Sequence, residues 1–137
     1  MMKKYIFVTV LFLISNLIVS QKIEQEEISG TWKVAKNLTK TTDPKFKDLI
    51  EGFNSSIFKF KQNGNCEMSS PNKSKIFLMT LEMITNKKWR FNSNRQMIKI
   101  GSEKDYFSIM GINVQKNQGK MIFQISESEL QFEMIKS

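Results

Sequence analysis

The sequence predicts an all-β fold: an antiparallel up-and-down β-barrel of about eight to nine strands with one short helix between the first two. Three observations predict it. Short runs that alternate apolar and polar residues recur from residue 31 to the end of the chain, separated by brief turns. No stretch interleaves strands with helices in a βαβ order, so the sheet is antiparallel. One segment alone switches to helical periodicity. A two-layer sandwich satisfies the same pattern, but closure into a barrel removes the edges that a long meander would present.

The elements follow in order. "QKIEQEEIS" reads as a polar cap or a turn of helix before the first strand, 31–38, in which Trp32, Val34 and Leu38 share a face. In "DPKFKDLIEGFN" the apolar positions Phe46, Leu49, Ile50 and Phe53 fall at i, i+3, i+4 and i+7. That is one helical stripe, with Asp43 as N-cap and Pro44 at the first position. "SIFKFKQ" alternates Phe58 and Phe60 against Lys59 and Lys61, and Asn63-Gly64 turns the chain into "NCEMS". "KIFLMTLEMIT" is expected as a fourth strand with Phe77, Met79, Leu81 and Met83 on one face. "KWRF" points Trp89 and Phe91 inward, and "QMIKI" points Ile98 and Ile100 inward. In "YFSIMGINV" the parity of Phe107 and Ile109 conflicts with that of Ile112 and Val114. A bulge at Met110-Gly111 is expected to reconcile them. "KMIFQIS" carries Met121, Phe123 and Ile125 inward, and "ELQFEMIK" carries Leu130, Phe132 and Met134 inward.

The first twenty residues stand apart from this domain. Lys3 and Lys4 precede an apolar run, and Ser20 lies at a cleavage point before Gln21. This reads as a Sec signal peptide, 1–20, with the barrel domain over 21–137. The apolar stretch is short for a membrane span and contains Thr9, Ser15 and Asn16, so no transmembrane segment is expected in the mature chain. Cys66 is the only cysteine. It excludes both an internal disulfide and a lipid on a mature N-terminal cysteine, so the expected location is periplasmic or secreted and not a lipoprotein. The formal charge of +8, less Lys3 and Lys4, leaves +6. The lysines mostly alternate singly with apolar residues, as solvated outer faces do, and no nucleic acid partner is expected. Histidine is absent. That removes His-based acid–base chemistry, Ser-His and Cys-His nucleophile pairs and the commonest zinc ligand. No enzyme, cofactor or metal site is expected.

Gly30-Thr31-Trp32, heading such a meander behind a short cap, resembles the G-x-W signature of lipocalins. Lys104-Asp105-Tyr106 is similar to the Thr-Asp-Tyr type turn of that family, with Lys in place of Thr. Lys136 stands where the family has an arginine packing over the Trp. The layout of the whole mature chain is similar to that of short exported bacterial lipocalin-like domains. The resemblance implies that Gly30 and Trp32 plug the closed end of the barrel. It also implies a monomer without catalytic residues that holds a small hydrophobic ligand inside the barrel. The expected lining is Phe58, Phe60, Met79, Leu81, Met83, Trp89, Phe91, Ile98, Phe107, Phe123 and Phe132. The helix with Phe46, Leu49, Ile50 and Phe53 is the expected lid at the opposite end.

An eight-stranded barrel is only wide enough to be filled by its own side chains or to hold one small ligand. So many inward rings leave an alternative: a packed barrel that acts through its surface on an envelope protein, a glycan or an anionic lipid.

Overall fold

The computed structural model describes residues 22–137; the expected signal segment, 1–20, lies outside the described residues. Among the described residues the alternating runs form eight antiparallel strands, each hydrogen-bonded to its sequence neighbours. They are β1 (Gly30–Asn37), β2 (Ile57–Phe60), β3 (Asn65–Ser69), β4 (Lys87–Asn92), β5 (Met97–Gly101), β6 (Met110–Asn117), β7 (Lys120–Ile125) and β8 (Gln131–Lys136). β8 returns to β1, pairing Trp32 with Lys136 and Val34 with Met134, and closes the barrel. The register then shifts by one residue between Val34 and Lys36, so Asn37 rather than Lys36 comes opposite Phe132.

Helix α1 (Gln25–Ile28) precedes β1 and is held by a capping box between Glu24 and Glu27. The expected helix between the first two strands is present. It begins as a 3₁₀ turn, Pro44–Phe46, with the Asp43 carboxylate accepting the Lys45 N–H at 3.1 Å, and continues as α2 (Lys47–Asn54).

Two expectations are corrected. The fourth expected strand, "KIFLMTLEMIT", is helix α3 (Lys75–Ile84), so the described barrel has eight strands and a further helix between β3 and β4. Its Leu, Met, Lys and Glu content favours a helix. Phe77, Leu81 and Ile84, at i, i+4 and i+7, turn toward the core. The second correction concerns "YFSIMGINV". No bulge occurs at Met110-Gly111, and β6 pairs with β5 without a break from Met110–Ile100 to Asn113–Met97. The parity conflict has a simpler cause: residues 106 and 107 take left-handed backbone angles in the turn before the strand (φ 59° and 56°).

The meander places the β1–β2 and β3–β4 connections, α2 and α3, at one end of the barrel. α1 and the starts of β1 and β7 lie at the other. One buried cluster fills the space between, running from Ile28 and Trp32 through Phe60, Ile98, Ile112 and Phe123 to Phe53 and Phe77.

Candidate functional site

At the α1 end, Trp32 is buried and its indole Nε1 donates to the Ile28 carbonyl at 2.7 Å. Its ring meets Phe123 with centroids 5.4 Å apart. Lys136, its register partner, holds Nζ 5.5 Å from the indole centroid and donates to the Glu27 carbonyl at 3.0 Å. The cation over the tryptophan is therefore an ammonium, a point charge without a planar stacking face. Gly30 has φ +135°, and a Cβ there would fall 2.5 Å from Lys136 Cε. The Lys116 ammonium donates to Glu27 Oε2 at 2.6 Å, and that bond is the main reason the Glu27 carboxyl is held below its ordinary range. A surface cleft of about 520 Å³ lies against this floor, lined in part by Glu27, Lys116, Met121, Glu133 and Ile135.

Above the floor the rings meet one another directly. Phe60 lies 5.4 Å from Trp89 and 6.3 Å from Phe123, and Phe58 lies 6.0 Å from Phe60 and 6.4 Å from Phe123. Phe132 is 5.7 Å from Phe53. Offset and edge-on contacts of this kind contribute about 0.5–1.5 kcal/mol each beyond simple burial. Ile98 joins this cluster, and Phe91 packs against it half-buried. Phe107 does not belong to it. It is buried in the β5–β6 turn, where the Arg90 guanidinium carbon sits 4.3 Å from its ring centroid. The left-handed turn residues redirect it away from the lining expected of it.

The other end is covered by α2 and α3. Phe53 is buried, Leu49 and Ile50 pack half-buried against the core, and Phe46 is half-buried. Phe77 of α3 meets Phe53 edge-on at 5.2 Å and lies so close over Gly52 that any Cβ there would overlap its ring. Met79 and Met83 are not lining residues. On the helix they point outward and are 57 and 54% exposed, together with Ile76 at 44% and Leu78 at 47%. Leu81 is half-buried under α3 rather than inside the barrel. The sequence signal for this outward apolar row was the helix-favouring content of the segment, which its alternation concealed. Beneath α3 the β3–β4 ladder is thin: Asn65 pairs with Lys88 and Cys66 with Lys87. Past these pairs the strands part around a cleft of about 290 Å³ lined by Ile57, Lys59, Glu67, Met68, Ser69, Thr85 and Asn86.

Reactive groups are few. Cys66 is buried on β3, and desolvation together with the neighbouring Glu67 charge pushes its thiol up to about 12. A thiol so placed is not a nucleophile near neutral pH. Asp105, in the β5–β6 turn, accepts the Ser102 N–H at 2.9 Å, the Ser102 hydroxyl at 2.9 Å and the Ser108 N–H at 3.3 Å. The Ser102 N–H is the main cause of its lowered pKa. Its partners are all in its own turn, so it braces backbone. Among the described residues no three or more His, Cys, Asp or Glu side chains gather as metal ligands would.

No family model, curated protein or solved structure matches the chain. Besides the cleft at the Trp32 floor, the α3 end presents the exposed outer face of that helix and the cleft below it.

Proposed function

We propose that the chain is an exported, lipocalin-like, non-enzymatic barrel that acts through its surface. The observation that carries this reading is the filled interior. Trp32, Phe58, Phe60, Trp89, Phe123, Phe132 and Phe53 occupy in mutual contact the space where an enclosed ligand would sit. An eight-stranded barrel has little room beyond that. Against catalysis stand the absence of histidine from the whole sequence and a single cysteine whose thiol is held protonated. For export, the support is the basic–apolar–small pattern of residues 1–20. For the lipocalin likeness it is Gly30-Thr31-Trp32 with the Lys136 ammonium over the indole. Native mass spectrometry of the protein purified from its own host tests the central claim. A mass equal to the processed chain alone is expected. A co-purifying apolar molecule would overturn the reading.

A second reading is favoured by the seam between β3 and β4. A small hydrophobic molecule could enter beneath α3 and displace Phe77 from Phe53, since the ladder there is short and the helix is the main cover. It predicts that an environment-sensitive apolar dye binds the folded protein and quenches tryptophan emission, Trp89 lying against Phe60. Dye binding only after unfolding would eliminate it.

A further inference from the structure

We propose that the outer face of α3 docks this protein onto an anionic lipid surface. The proposal rests on the surface-acting reading and names its partner.

Ile76, Met79 and Met83 recur at i, i+3 and i+7 and form an exposed row on a helix whose opposite face holds Phe77 and Ile84 in the core. The outer side is mainly apolar, interrupted by exposed Glu82 at i+3 from Met79 and i+4 from Leu78, and among the described residues nothing covers it. Leu78 extends the exposed apolar area around the helix. Methionine is flexible and polarizable, and it adapts to an irregular apolar partner. The charges that flank the row in sequence point to what that partner is. Lys73 and Lys75 lie at the start of α3, and Lys87 and Lys88 follow its end, against Glu82 as the one acid between them. α2 next to it, with its 3₁₀ turn, carries Lys45 and Lys47 against Asp48 and Glu51 and adds no net charge. An apolar helix face between basic ends is what an acyl–headgroup boundary with negative headgroups accommodates.

A second copy of the chain fits less well. A symmetric pairing through α3 would bring the two sets of four lysines together with only two Glu82 carboxylates to offset them. Four half-exposed side chains also fall well short of the roughly 800 Å² per partner that a stable protein interface buries.

Co-sedimentation with vesicles tests this, using the protein purified from its own host. Vesicles of equal parts phosphatidylglycerol and phosphatidylcholine should bind it, and phosphatidylcholine vesicles should not. Met79→Ser with Met83→Ser should weaken binding at least about tenfold with an unchanged melting temperature, because neither side chain supports the core. Lys75→Gln and Lys88→Gln should each weaken it about fivefold, and added salt should weaken it further. Absence of binding to the anionic vesicles, or undiminished binding by the methionine variants, would overturn the proposal. So would a dimer that those variants dissolve, which would make a second copy the occupant. A clean apo mass combined with no vesicle binding would leave the surface-acting reading standing and remove only the lipid.

Discussion

Single residues here do structural work that chemistry can probe. Cys66 should resist iodoacetamide at pH 8 in the folded protein and react fully once denatured, because burial holds the thiol up at about 12. Labelling of the native form at the denatured rate would refute that. Ser74 gives a less obvious prediction. It sits at the N-cap of α3, yet its hydroxyl makes no cap bond, and among the described residues it is a buried polar oxygen without a partner. Ser74→Ala should therefore be neutral or stabilising in a denaturation titration, where an ordinary N-cap serine would cost about 1 kcal/mol. Asp105 sets a pH dependence. Its pKa is lowered in the fold by the N–H groups it accepts, so its contribution is present above the ordinary carboxylate value of about 4 and is lost as pH falls below it. Asp105→Asn should flatten the fall of melting temperature on acidification in that window. Trp32 and Lys136 were brought together only by the family resemblance, since nothing in the alternation pattern pairs a residue near the start of the domain with one at its end. Phe107 was not legible, because its placement depends on two left-handed backbone angles that no alternation pattern encodes.

Elements show where patterning succeeds and where it fails. The stripe Phe46, Leu49, Ile50 and Phe53 specified a helix because no strand parity fits it. In α3 both periods fit: Phe77, Met79, Leu81 and Met83 alternate, while Phe77, Leu81 and Ile84 follow a helix face. Propensity and the contact with α2 decide it, and the contact is invisible in the sequence. That contact can be broken specifically. Gly52→Ala places a methyl inside the Phe77 ring, so α3 must shift or its ring must rotate away. Overpacking of this kind costs about 1–3 kcal/mol. The loss should appear as raised hydrogen exchange in α2 and α3 while the amides of β6 and β7 stay protected. Uniform loss of protection across the barrel would mean that the two helices are not a separable cap.

At the scale of the whole molecule, one interior is shared by all eight strands. Phe123 touches Trp32, Phe58 and Phe60 and so links the floor to the middle of the barrel. Phe123→Ala should cost about 3–5 kcal/mol. If the folded remainder survives, it should gain an apolar cavity that takes up benzene or xenon, a property the native packing denies it. The all-β class was readable from alternation and turns, and closure was favoured over a two-layer sandwich because it removes exposed edges. Whether the closed space is empty was not readable, since that depends on how far neighbouring rings interpenetrate.

The seam that closes the barrel has a kinetic consequence. β1 finds its partner in β8, nearly the whole domain away in sequence, with Trp32 opposite Lys136. Loop-closure entropy for such a pairing is paid before any contact rewards it, so folding should be slow beside that of a helical protein of equal length. A ribosome-bound chain still lacking its final strand has no way to complete the ring. A polypeptide that must pass through a narrow channel before it folds would be well served by that delay.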